Sequence, residues 1–144
     1  MTYFLSDRQQ VLLQHTCDLW SVSQATDVET RMGGEPVYTP ADFGVPCHFE
    51  KRASVENPRA AGRVEGDIQG TRDQIHLPET VPIEAGWAIV NRTLDFDGNP
   101  AVEYGQVWIV QGRPRTIPRV GNRDAGKKIA EAVLSHRAPP GVVV

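Results

Sequence analysis

The sequence predicts a mainly β fold, a small antiparallel β-barrel with a long projecting loop and a C-terminal α-helix, and three observations predict it. Eleven prolines and thirteen glycines fall among 144 residues, so apolar runs are cut into short pieces that suit strands and turns better than a helical bundle. The run Tyr104-Gly105-Gln106-Val107-Trp108-Ile109-Val110 is β-branched and aromatic, the composition of a strand, and Gln111-Gly112 ends it. Between Glu50 and Thr71 lies a polar, glycine-containing stretch of loop length, flanked by strand-like pieces on both sides.

With 40% hydrophobic and 7% aromatic residues, the chain is long enough for one domain with a modest core. Residues 1–13 form an N-terminal arm or helix, residues 14–120 the barrel with its loop at 52–70, and residues 124–137 the helix. In the arm, Phe4, Leu5, Val11, Leu12 and Leu13 are apolar, with Ser6 placed as an N-cap and Asp7 in the first turn. From Gln14 to Gln24 the pattern alternates, Cys17, Leu19 and Ser21 against Asp18, Trp20 and Val22, giving a first strand with Trp20 anchoring a core face. Residues 25–44 hold Met32-Gly33-Gly34-Glu35-Pro36 and Thr39-Pro40-Ala41-Asp42-Phe43-Gly44, which read as a long hairpin-like connection with brief pairing at Val37 and Tyr38.

A second strand follows at residues 45–51, with Pro46 assigning it to an edge or a strand start; Cys47 and Phe49 share one face, His48 and Glu50 the other. In residues 52–70 only Val55, Val64 and Ile68 are large and apolar, too few to offset the entropy of ordering, so this loop is expected to be flexible in the isolated chain. Residues 71–77 alternate into a third strand, with Pro78 breaking it. Val81 to Gly86 makes a corner before the apolar strand Trp87-Ala88-Ile89-Val90, and Asp95-Phe96-Asp97-Gly98-Asn99-Pro100 is a turn by composition. Residues 113–120 form a proline-broken return strand. In residues 124–137, Ile129, Ala130, Val133 and Leu134 fall on one helical stripe, Asp124 opens the helix, His136 and Arg137 suit its C-terminus, and Ala138-Pro139-Pro140-Gly141 stops it. The apolar tail Val142, Val143 and Val144 is a candidate for docking rather than exposure to water.

The net charge of -3 and a pI near 5.8 supply no general attraction to phosphate backbones. Cys17 and Cys47 are too few for a disulfide scaffold, Asp7 and Arg8 interrupt anything like a signal peptide, and no apolar run approaches the roughly 20 residues of a membrane span, so a soluble protein made in a reducing cytoplasm is expected. His15, Cys17, Cys47 and His48 resemble a zinc ligand set by type, but adjacent residues of a strand point to opposite faces, and two small buried thiols are the better reading. Asp95-x-Asp97-Gly98-Asn99 starts like a calcium loop, yet its glycine comes too early and no closing glutamate follows, which leaves a tight turn. Nucleophile, phosphate-loop and zinc-protease motifs are absent, so no catalytic residues, cofactor or metal are expected. The least implausible polar set for a small barrel-fold enzyme or ligand-binding module is His48, His76 and Glu50. Arg113, Arg115, Arg119, Arg123, Lys127 and Lys128 form the basic concentration of the chain, read as a solvated face.

The order of these features resembles the head-tail joining, or head-closure, proteins of tailed bacteriophages. The match lies in Val45-Pro46-Cys47-His48-Phe49-Glu50, the polar loop, the strand ending in Leu77-Pro78, the corner Val81-Pro82-Ile83-Glu84-Ala85-Gly86, and Gly105-Gln106-Val107-Trp108-Ile109-Val110-Gln111-Gly112, and spans roughly residues 18–111. This sequence departs from the pattern where Trp87 follows Gly86 directly and where residues 91–103 extend the connection. The resemblance implies a structural virion protein, without enzymatic activity, assembled in the host cytoplasm into a homo-oligomeric ring at the phage neck. Its partners would be the portal or adaptor protein and tail terminator or tail-tube proteins, with packaged DNA passing through the channel without sequence-specific binding and no membrane involved. A tail terminator or tail-completion protein is the alternative within the same machinery. The family's channel loop corresponds here to Arg52, Val55, Glu56, Arg59, Arg63, Val64, Glu65, Asp67 and Ile68, with roles in gating and intersubunit contact, and Val142, Val143 and Val144 would meet the neighbouring ring.

Overall fold

In the computed structural model the chain is mainly β, and residues 5, 7–26, 33–51, 72–118 and 126–144 are described. A short helix α1 (Asp7–Leu12) precedes β1 (His15–Thr26), β2 (Gly33–Glu50), β3 (Asp73–Pro78), β4 (Ala88–Asn91), β5 (Val107–Val110), β6 (Arg115–Ile117) and β7 (Lys127–Ser135). All pairings are antiparallel, in the order β3-β2-β1-β4-β5-β7-β6, and a further ladder between β3 and β7 closes the sheet into a ring. β5 and β6 both lie along one edge of β7, β5 beside residues 132–135 and β6 beside residues 127–129, like one strand broken at Gly112 and Pro114.

Alternation fills the inside of this ring. Cys17 and Leu19 from β1, Cys47 and Phe49 from β2, Ile75 and Leu77 from β3, Ile89 from β4, Trp108 and Val110 from β5, and Ala130 and Ala132 from β7 form the main core, with Val81 and Ile83 of the corner closing it. Each large aliphatic side chain buried there contributes about 1.5–3 kcal/mol relative to exposure. Trp108 stacks on Phe49 with ring centroids 4.7 Å apart and donates its indole N–H to Asp73 Oδ2 at 2.9 Å. A second, smaller cluster lies on the other face of β1, β4 and β5, where Trp20, Ala88, Val90 and Val107 are covered by Val142 of the C-terminal tail.

Two expectations are corrected. Residues 127–135 are a strand, not a helix: the segment carries a period of two as well as a helical stripe, with Ala130, Ala132 and Leu134 on one face. Ring closure decides between them, because a helix here would leave the facing edges of β3 and β5 with unpaired backbone groups, whereas β7 pairs with both. Residues 33–44 are not a connection but the first part of β2, paired to β1 from Thr26↔Gly33 through Cys17↔Val45. The prolines that suggested a turn are tolerated because β2 meets β3 only from His48 onward, so among the described residues its far edge is open at Pro36, Pro40 and Pro46. The glycine serves a bulge: between Cys17↔Val45 and Leu19↔Asp42 the long strand carries one extra residue, Gly44 takes φ 66°, and its N–H reaches Asp18 Oδ1 at 3.0 Å.

Candidate functional site

The register of β2 and β3 sets His48 and His76 side by side on the outer face of the ring, and His15 at the start of β1 reaches them. His48 and His76 are directly opposite, and their rings lie 5.9 Å apart; His48 stacks on His15 at 5.2 Å with the planes only 5° apart. His76 Nε2 and Glu50 Oε2 are 2.9 Å apart. Together with Gln9, Leu12 and Leu13 from the α1 region and Lys127 from β7, the residues His48, Glu50 and His76 line a cavity of about 240 Å³. Gln9 ties the helix to the start of β7 by donating from Nε2 to the Gly126 carbonyl at 2.9 Å. The polar set His48, His76 and Glu50 is thus brought together; His15 joins it through the β1–β2 ladder, and Lys127 through the closing ladder of β3 and β7.

His15 has a structural duty as well. Its Nδ1 accepts the Phe49 backbone N–H at 3.0 Å, so the ring must be neutral with its proton on Nε2. Burial pushes the His15 pKa down, the neighbouring His48 adds to this, and Glu103 opposes it. Burial also lowers His76, against its hydrogen bond to the Glu50 carboxylate; Lys127 and His48 lower it further, and the Glu50 charge raises it. Both depressions have the same sign. Below about pH 6.5 the unfolded chain binds protons that the folded chain refuses, so stability is full above that pH and falls as the pH drops through it toward the folded-state values. The urea midpoint is therefore expected to be lower at pH 5.5 than at pH 7.5, and the gap to narrow in His15→Gln. An equal gap in that variant would assign the pH dependence to other groups.

Cys17 and Cys47 are both fully buried in the core, and burial together with their mutual contact pushes the Cys17 thiol up. They face inward and His48 outward, and among the described residues no group of three or more His, Cys, Asp or Glu is arranged to hold a metal ion. The Asp95 turn is a tight turn: Asp95 Oδ1 accepts the N–H groups of Asp97 and Asn99, each at 2.9 Å, and Gly98 has φ 81°. Of the basic cluster, Arg113 and Arg115 are exposed, Lys128 donates to the Val81 carbonyl at 2.6 Å, and Arg119 and Arg123 lie outside the described residues.

The segment carrying Arg52, Val55, Glu56, Arg59, Arg63, Val64, Glu65, Asp67 and Ile68 also lies outside the described residues, but its attachment points do not. Glu50 pairs with Gln74, so the chain leaves β2 and re-enters β3 between adjacent neighbours. Ion pairs stand at both roots, Lys51 with Glu103 and Arg72 with Glu131. In the tail, Val142 is buried against the chain's own second cluster, while Val143 and Val144 are exposed. Arg92 holds this tail: it pairs with Asp18 at 2.9 Å, donates to the Val143 carbonyl at 2.7 Å and lies over the Tyr104 ring at 5.2 Å. Sequence reading missed Arg92 because none of its partners is close in sequence.

Among the described residues, no helix is long and apolar enough to cross a membrane. No known protein family matches this chain, and neither does any curated protein. Among solved structures, the solution structure of protein SF1141 from Shigella flexneri 2a is similar, at 16% identity over 87% of this chain and 96% of that one, with a TM-score of 0.50. That likeness is one of fold.

Proposed function

We propose that this chain is a structural ring subunit at the neck of a tailed bacteriophage, joining the portal or adaptor complex of the DNA-filled head to the tail and helping to retain the DNA. One observation carries the reading. A closed, apolar-filled antiparallel sheet holds a long polar insertion by its two roots, with Glu50 and Gln74 paired and an ion pair beside each end. Such a scaffold can fold without help from the insertion, and identical insertions arranged around a ring can contact one another. The net charge of -3 is compatible with a conduit that must let DNA leave again.

Electron microscopy of particles from the source lysate, labelled through an affinity tag on this chain, tests the location. Label confined to the head-tail junction is expected; a free protein with no label on assembled particles would overturn the reading. Deleting residues 55–66 is expected to leave the closed sheet folded, with its urea midpoint nearly unchanged, while filled heads lose their DNA. Heads that keep their DNA with this deletion would remove the gating role.

A second reading, a small ligand-binding module, is favoured by the convergence of His48, His76 and Glu50 on one cavity. A monomer that binds a small molecule there, with no label on particles, would support it.

A further inference from the structure

The connection between β4 and β5 ends in a rigid apolar knob. Asp95 and Asn99 are joined by a backbone hydrogen bond of 2.8 Å, Asp95 Oδ1 holds two further N–H groups, and Leu94 bridges to Pro100. This well-braced turn holds Phe96 entirely in solvent, and Asp97 beside it makes no ion pair among the described residues. A large aromatic fixed in water on a pre-ordered turn is the arrangement of an interface anchor, since little entropy remains to be lost on docking.

The complementary surface is β6. Arg115, Thr116 and Ile117 are all exposed, Arg113 just before them is exposed too, and neither arginine makes an ion pair among the described residues. β6 ends the strand order, with no partner on its far edge among those residues. An exposed apolar residue thus follows two exposed cations here, matching the aromatic between carboxylates on the knob. The two surfaces are far apart on one copy. β5 enters the sheet opposite Ser135, and β6 ends opposite Lys127, eight positions along β7 or about 26 Å at strand rise. One copy therefore cannot satisfy itself, and joining unlike surfaces of successive copies gives a head-to-tail contact that closes into a ring when its rotation allows.

We propose that the Asp95–Asn99 turn of one copy docks on the β6 edge of the next, Phe96 covering Ile117 and Asp97 facing Arg113 and Arg115. This rests on the ring reading above and names the contact that would build the ring.

The test uses full-length chains carrying Asp97→Cys and Arg115→Cys together, oxidised after purification of filled particles; Cys17 and Cys47 are fully buried and do not compete. A non-reducing gel is expected to show a ladder of cross-linked species beyond the dimer, and adding Phe96→Ser to reduce it at least tenfold. Neither single-cysteine chain is expected to exceed a dimer. Particles that contain the double-cysteine protein at the neck but yield no ladder, or dimers only, would overturn this contact and leave the ring reading standing. A ladder unchanged by Phe96→Ser would remove Phe96 as its anchor and overturn the contact as stated. Absence of the unsubstituted chain from particles would overturn both.

Discussion

Trp108→Ala is expected to destabilise the fold by about 3–5 kcal/mol, a large share of the roughly 5–15 kcal/mol that a domain of this size possesses. Trp108 is 1% exposed and sits where β5 faces both Phe49 of β2 and Asp73 of β3, so it links strands on opposite sides of the ring. Truncation leaves a cavity between these strands and also strips Asp73 Oδ2 of its indole donor. Trp108→Phe helps to separate the two losses, since it keeps an aromatic ring against Phe49, removes the hydrogen bond and leaves a smaller cavity, at an expected cost of about 1–3 kcal/mol. Urea denaturation of both variants at pH 7.5 checks the ordering. A Trp108→Ala variant within about 1 kcal/mol of the parent would mean that the ring is not packed around this residue.

Much of the ring is legible in the sequence because its inner face is built by strict alternation. Cys17 with Leu19, Cys47 with Phe49, and Ile75 with Leu77 are each two residues apart, and each pair points inward. The same rule places His48 and Glu50 together outside, two of the three residues of the polar set around the cavity. What alternation along one strand cannot supply is register between strands. His76 joins His48 through the ladder of β2 and β3, His15 reaches Phe49 across β1 and β2, and Lys127 arrives only because β7 closes against β3. The beginning of β2 was hidden for a different reason. Gly33, Pro36, Pro40 and Gly44 are turn formers by local preference, yet an edge strand with bulges accommodates all of them.

The other large effect is at Ala132, where strand and helix make opposite predictions. In the helical stripe of Ile129, Ala130, Val133 and Leu134, position 132 lies off the apolar face and would accept a carboxylate. In the strand it is fully buried, paired with Asp73 on one side and Val110 on the other. Ala132→Asp would bury an unpaired carboxylate directly across from Asp73, so both desolvation and like-charge repulsion oppose folding. The expected loss is roughly 2–7 kcal/mol, enough to unfold a marginal domain at room temperature. Val133 points to the outer face beside Ile109, half-buried, and Val133→Thr is expected to cost less than about 1 kcal/mol. Thermal unfolding followed by circular dichroism reads both. A tolerated Ala132→Asp beside a damaging Val133→Thr would restore the helix and break the ring, because β7 alone joins β3 to β5.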